Sequence, residues 1–371
     1  FSAVVLKLFW IKYPFLLFLN PRMKRGCALN YVLCAVCTAT VFLTWEISVL
    51  YLHVPPSPRL PPISPRLSHI TILLWVHPFG VVAPLPDCWK QFQINGCMIT
   101  DDKHAYRQVD AVIFHHRDIG NGRARMPTEP RPRSQKWIWL NHESPTNSPG
   151  LQQFDRVFNL TMTYRVDSDI YIPYGHLIPV VNGSGSLDQT TSLHRPSRLL
   201  AWVVSDWSDS HARVSFYNEL KRYVNIDVYG SAGKPLKKGI EAVLELLRDY
   251  MFYLAMENSQ HTDYITEKLW NAVRAGAIPV VLGPSRQSYE RLLPPEAFIH
   301  VDDFPTVEEL AQYLNKVMQN PDLMKHHLSW RQNYSVHLST RNELYCDACE
   351  VVRRTRGQTS VVPHLKDWFC S

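Results

Sequence analysis

Between residues 199 and 283, short apolar runs alternate with segments of helical spacing, and that alternation leaves few folds open. Residues 199–204, 251–256 and 278–282 are strand-length and apolar along their whole length, as strands buried on both faces are, and residues 226–229, ending at Gly230, are a further strand interrupted by Asp227. Between them, residues 211–223 put Ala212, Phe216 and Leu220 on one helical face, and residues 240–249 are helical in pattern. Asp263 is placed to cap a helix with Ile265, Leu269 and Val273 on its apolar face, ending at Gly276. A further amphipathic helix covers residues 307–318. Strands and helices in this order predict a parallel, doubly wound α/β sheet, with ligands bound beyond the carboxyl ends of the strands.

The first half repeats the theme with candidate buried strands at residues 70–76, 111–114 and 137–140. Residues 187–197 turn polar and mark a boundary. The expected plan is therefore a first domain at 70–190, a second at 191–345 and a C-terminal segment at 346–371.

Ahead of these lies a different kind of sequence. Met23 is followed by Lys24 and Arg25 and then by an apolar run over residues 27–52, broken only by Asn30 and Glu46. A bilayer core needs about 20 apolar residues, and a basic pair ahead of the run predicts a cytoplasmic N-terminus. A cleaved signal peptide fits less well, because the run is long and no small-x-small site follows. Residues 1–22 read as an upstream non-native or cytoplasmic segment. Residues 53–69 hold six prolines and read as an extended stem.

A net charge of +6 spread along the chain contains no basic block that would track a nucleic-acid backbone, yet suits a substrate carrying a diphosphate. Neither a G-x-G-x-x-G nor a G-x-x-x-x-G-K-[ST] loop is present, so a diphosphate must be held by other means. A helix opening near Tyr264 offers free N–H groups, with Lys268 just inside it, and Arg213 opens another helix after a strand.

Cys346 and Cys349 form a C-x-x-C, which admits zinc, redox or disulfide readings. The other C-x-x-C, Cys34-Ala-Val-Cys37, lies inside the apolar run near the N-terminus, no H-x-x-x-H supplies further zinc ligands, and a thioredoxin-like unit is missing, so disulfides are the preferred reading. Sequons at Asn159, Asn182 and Asn333 favour the same lumenal setting.

The stretch Phe252-Tyr-Leu-Ala-Met-Glu-Asn-Ser-Gln-His-Thr-Asp-Tyr-Ile-Thr-Glu-Lys-Leu-Trp270 and its continuation Ala275-Gly-Ala-Ile-Pro-Val-Val-Leu-Gly283 resemble the signature of the α-(1,3)-fucosyltransferases, glycosyltransferase family 10, of the vertebrate Lewis-antigen type. Asn141-His-Glu-Ser-Pro145, Tyr164-Arg-Val-Asp-Ser-Asp169, Ile172-Pro-Tyr-Gly175, Trp202-Val-Val-Ser205 and His300-Val-Asp-Asp-Phe304 extend the likeness in the same order, from about residue 70 onward.

The resemblance implies two Rossmann-like domains of the GT-B arrangement, the first meeting the acceptor and the second holding GDP-fucose. It implies an inverting transfer to O3 of N-acetylglucosamine in lactosamine units, as in Lewis x and sialyl Lewis x. It makes Glu143 the general base and gives the leaving diphosphate to Arg213 and Lys268. Glu267 would face the fucose ring, Asn258 and Tyr264 would contact the nucleotide sugar, Ser205 would join the donor site, and Tyr174 would touch the acceptor. Glu267 and Lys268, adjacent on a helix, are expected to point about 100° apart rather than to pair. The family also pairs such cysteines as Cys88–Cys346 and Cys97–Cys349, leaving Cys370 over.

No cofactor is expected, and a divalent cation at most stimulates: Asp167-Ser-Asp169 and His115-His116-Arg-Asp118 read as structural segments rather than metal sites. The expected setting is the Golgi membrane as a single-pass type II protein, with a homodimer left open. Met256 replaces the usual aromatic, Asp206 adds a negative charge near the donor, and Val81 stands where relatives place a polar acceptor contact. Two alternatives follow: a fucosyltransferase for another acceptor, such as the core N-glycan or protein, and a catalytically silent glycan-binding protein.

Overall fold

The computed structural model describes residues 69–180 and 196–371. The expected span at 23–52, segment 1–22, nearly all of the stem, the sequon at Asn182 and most of the polar boundary lie outside them. No helix among the described residues is long and apolar enough to cross a membrane.

The first half contributes β1 (Ile70–Leu74), α1 (Cys88–Phe92), β2 (Cys97–Thr100), β3 (Ala111–His115), α2 (His116–Gly120), β4 (Lys136–Asn141), β5 (Leu160–Thr163) and β6 (Ile170–Tyr171). Its six strands lie in the order β2-β1-β3-β4-β5-β6, and every pair is parallel. Side chains alternate between faces, so Ile70, Ile72 and Leu74 enter one core while Leu73 enters the other with Phe114 and Trp139. Both faces must be covered, which is why these strands lack a polar alternation.

β7 (Gly175–Pro179) leaves this sheet, and the second half then supplies β8 (Arg198–Val204), α3 (Ala212–Leu220), β9 (Ile226–Gly230), α4 (Ile240–Leu247), β10 (Tyr250–Met256), α5 (Glu267–Ala275), β11 (Ile278–Leu282), α6 (Arg286–Glu290) and β12 (Ile299–His300). These strands form a second parallel sheet, β12-β11-β10-β8-β9, with the wholly buried β10 at its centre. α7 (Val307–Gln319) packs Leu310, Leu314 and Val317 into one of its cores, and α8 (Pro321–Leu328) follows. β13 (Tyr334–Leu338) then pairs antiparallel with β7, stitching the two halves together. Gly175 is required at this stitch: a Cβ there would lie 2.7 Å from the Trp270 ring and 2.9 Å from the His337 carbonyl oxygen.

The chain then returns to the first sheet. α9 (Arg341–Arg354) lays Leu344, Tyr345, Ala348 and Val352 on one face, and α10 (Leu365–Cys370) sets Leu365 and Phe369 into the other. Cys346 and Cys349 lie on the inward side of α9 and are bonded to Cys88 and Cys97, the pairing that the family resemblance implies. Cys370 is free and exposed. Residues 67–371 accordingly form one compact body around two sheets. The disulfides close loops of 258 and 252 residues. Loss of one native disulfide typically costs about 2–5 kcal/mol, so a Cys88→Ala/Cys346→Ala variant should show a clearly lowered Tm in differential scanning calorimetry, and an unchanged Tm would contradict this role.

The helix expected to open near Tyr264 behind an Asp263 cap begins instead at Glu267, with Thr266 as N-cap. Asp263 has φ 58° and spends its carboxylate elsewhere, accepting from Val166 N–H at 3.2 Å and pairing with Arg291 at 3.0 Å. It braces a turn rather than opening a helix.

Candidate active site

The carboxyl ends of both sheets open on one cleft of about 780 Å³. From the first sheet come Arg117 after β3, Glu143 and Asn147 after β4, and Tyr174. From the second come Ser205, Asp206 and Arg213 after β8, then Asn258, Tyr264, Glu267, Lys268 and Asn271 after β10. All eight residues expected to act in catalysis or binding thus line the same space, from both sides.

Glu143 is held by its own loop. Its N–H donates to Asn141 Oδ1 at 3.1 Å, Asn141 Nδ2 donates to Ser148 Oγ at 2.8 Å, and Ser148 Oγ donates to the Ser144 carbonyl at 2.8 Å. The Glu143 carboxylate makes only a loose pair with Arg117, at 4.0 Å, and its side chain is 30% exposed. A carboxylate that is fixed by its backbone and open to the cleft can take a proton from a bound hydroxyl. Tyr174, expected to touch the acceptor, lines the cleft but commits its hydroxyl to the His142 carbonyl at 2.6 Å, so its first task is to hold the loop that carries Glu143.

The opposite wall is cationic. Arg213 is 4% exposed, donates through Nη2 to the Asp206 carbonyl and lies 3.7 Å from the Asp206 carboxylate, while its Nε has no partner. Burial lowers its pKa, the cost of keeping an under-partnered guanidinium out of water. Such a group is prepared for an anion.

Glu257, the residue that sequence reasoning passed over, organises the rest. It is 1% exposed and sits at the end of β10. Its carboxylate accepts from Thr266 N–H at 2.8 Å and from Thr266 Oγ1 at 2.9 Å, and pairs with Lys268 at 3.0 Å. Lys268 also donates to Thr266 Oγ1 at 2.7 Å and to Glu267 at 3.2 Å. The expectation that Glu267 and Lys268 do not pair is corrected here. Lys268 folds back over the first turn of α5 toward Glu257, which brings its ammonium within reach of its neighbour, and all three of its protons are engaged. Burial opposes the charge on Lys268, but Glu257 and then Glu267 outweigh it and raise the pKa. Burial raises the pKa of Glu257, whereas the Lys268 charge overcomes burial at Glu267 and lowers it. Glu257 was readable as a charge closing a buried apolar strand.

Tyr264 is 2% exposed, its ring 5.1 Å from that of Tyr164, and it forms part of the wall between the two halves. Arg117, placed by sequence in a structural turn, faces the cleft, and its neighbours form the end of β3 and the first residues of α2 rather than a turn. His115 Nδ1 lies 2.6 Å from Asp118 Oδ2, and Asp118 also accepts from Phe79 N–H and Arg123. Asp167 binds Arg165 and Trp368, and Asp169 accepts from Thr161, so both carboxylates have structural partners. Of the sequons, Asn333 is exposed, whereas the Asn159 amide is engaged with Trp137 N–H and the Ser360 carbonyl.

Beneath the site, His116 accepts from Trp139 Nε1 at Nδ1 and is 2% exposed, so it is held neutral, its pKa pushed down to about 4 by burial and then by the charge of His115. The unfolded chain takes up this proton near pH 6.5 and the folded chain only near 4. Between those values the unfolded state binds more protons, and stability falls as the pH drops. The expected slope is roughly 1.4 kcal/mol per pH unit for this one group. Thermal unfolding from pH 7 down to 5 should show a falling Tm, and His116→Gln should flatten part of that fall.

Two parallel α/β sheets facing one cleft, with a carboxylate on one wall and buried cations on the other, define a two-lobed transferase-like protein for an anionic donor. Residues 193–368 match the family described as "Glycosyltransferase family 10 (fucosyltransferase) C-term", and residues 67–175 match "Fucosyltransferase, N-terminal". The α-(1,3)-fucosyltransferase 4 of Bos taurus is 40% identical over 372 residues, covering 90% of this chain and 92% of its own length. The 4-galactosyl-N-acetylglucosaminide 3-alpha-L-fucosyltransferase 9 of Rattus norvegicus is 44% identical over 304 residues, covering 81% of this chain and 82% of its own. A solved α1,3-fucosyltransferase superposes with a TM-score of 0.50 at 15% identity, covering 81% of this chain and 93% of that one, which is a likeness of fold. The chain belongs to glycosyltransferase family 10, the fucosyltransferases.

Proposed function

We propose that this chain is an inverting α-(1,3)-fucosyltransferase that moves L-fucose from GDP-fucose to O3 of N-acetylglucosamine in lactosamine-type glycans. The observation that carries the reading is the meeting, in one cleft, of Glu143 from the first sheet with Arg213 and Lys268 from the second. Glu143 takes the proton of the acceptor hydroxyl as that oxygen bonds to fucose C1. The bond from C1 to the phosphate oxygen breaks, and GDP leaves with its electron pair. Arg213, with an unpartnered Nε, and Lys268 neutralise the departing diphosphate. Lys268 is fully partnered before donor binds, so the diphosphate takes the place of Glu267, whose side chain is 55% exposed, while the buried contact to Glu257 stays. Released Glu267 is then free to face the fucose ring, with Asn258, Tyr264 and Ser205 completing the donor wall. The acceptor lies on the side of Arg117 and Glu143, beside an exposed apolar lip formed by Phe79, Val81 and Val82.

The setting proposed is the Golgi lumen, with residues 23–52 as a type II membrane anchor and residues 53–69 as a stem. The apolar run, the preceding basic pair and the two disulfides support it. Incubation with GDP-fucose and a lactosamine panel tests the activity. Release of GDP coupled to a fucosylated acceptor is expected, and bound donor without transfer to any lactosamine would overturn the reading.

A further inference from the structure

The loop that carries Glu143 and the loop that carries Asn258 belong to different sheets, yet they touch through the residues that follow those two. Ser259 Oγ lies 2.7 Å from Ser144 Oγ, with Ser144 0% and Ser259 8% exposed. We propose that Ser144 and Ser259 form a buried hydroxyl latch that registers the proton-accepting wall against the donor wall, making both of them positioning residues for transfer. This rests on the fucosyl-transfer reading above.

Three further observations point the same way. A second contact runs parallel to the first, Thr146 Oγ1 to His261 Nε2 at 2.7 Å, but it is exposed and so competes with water. The donor loop is braced from behind, where Asp263 accepts from Val166 N–H and pairs with Arg291. Finally, the Ser259 hydroxyl has a second acceptor, Asn258 Oδ1, at 3.0 Å. One hydroxyl proton serves one acceptor at a time. Removing the Ser144 oxygen therefore hands that proton to Asn258 alone, and the change on the acceptor side reaches a donor-wall side chain. A base must come within about 2.6–3.2 Å of the hydroxyl it deprotonates, and a displacement of ~1 Å can cost ~10²-fold in rate. A latch one residue away from both walls controls that distance.

The test uses Ser144→Ala, Ser259→Ala and the double variant of the full chain, with GDP-fucose and a lactosamine acceptor. Each single variant is expected to lower kcat about tenfold to a hundredfold while the KM for GDP-fucose stays within about twofold. The double variant should be no slower than the slower single, because both remove one contact. The ratio of GDP-fucose hydrolysis to transfer should rise, which a loss of stability alone does not produce. Ser259→Thr, which keeps the hydroxyl, should recover most of the rate. Should Ser144→Ala fail to fold, the comparison of Ser259→Ala with Ser259→Thr decides alone. Single variants within about twofold of wild-type kcat, or a double variant equal to the product of the singles, overturn the latch. A wild-type chain that transfers no fucose overturns the function reading instead.

Discussion

Glu143→Gln should lower kcat for fucosyl transfer by roughly 10²- to 10⁴-fold, the usual contribution of a positioned general base. The substitution keeps the size of the side chain and the Glu143 N–H contact to Asn141, so the loop should keep its shape. GDP-fucose should bind as before, because Arg213, Lys268 and Asn258 all stand on the other sheet. Donor affinity by calorimetry and turnover by GDP release separate the two effects. A variant that turns over near the wild-type rate would remove Glu143 from the mechanism. Arg117, only loosely paired at 4.0 Å, cannot take over proton acceptance, since a guanidinium has no lone pair to offer.

The second large effect concerns Lys268. Replacing it by Ala should cost about 3–5 kcal/mol of stability, because Glu257 is left buried without its cation. Transfer should fall by roughly 10²–10³-fold, the scale of losing one charge-stabilising donor at a reacting centre. Adding Glu257→Gln to Lys268→Ala separates these losses. A neutral amide in the same place keeps an acceptor for Thr266 and removes the stranded charge. The double variant should regain most of the stability, read as Tm, but none of the rate. If the rate returned along with the stability, Lys268 would have only a structural role.

Four strands of the second sheet were legible to within a residue or two, whereas the two-residue edge strand β12 was not. The central β10 and its neighbour β11 are buried almost throughout and read as unbroken apolar runs, and β11 occupies the residues 278–282 that the pattern picks out. The β7·β13 pair was not foreseen. Its strands are short and half-exposed, carry no clean alternation, and meet only because the fold brings residues 175 and 338 together. The start of α5 was misplaced because Asp263 looks like a cap in sequence, and only its distant partners Val166 and Arg291 reveal its other use. Glu143 and Asn258 came with the family likeness, and their places just beyond β4 and β10 agree with the rule that α/β ligands bind at the carboxyl ends of strands. Arg117 did not stand out, since the direction of a side chain is set by tertiary neighbours, and Glu257, although visible as a charge closing an apolar strand, was passed over because its buried pairing with Lys268 is set by the fold. The pairing of the cysteines likewise came with the family likeness and not from spacing.

The most direct measurement is the linkage and anomeric configuration of the product, determined by NMR after reaction of GDP-β-L-fucose with lactosamine. The account predicts α-linked fucose on O3 of N-acetylglucosamine, formed by wild type and lost with Glu143→Gln. A β-linked product, or α-linked product formed undiminished by Glu143→Gln, would contradict a single-displacement transfer driven from that wall of the cleft.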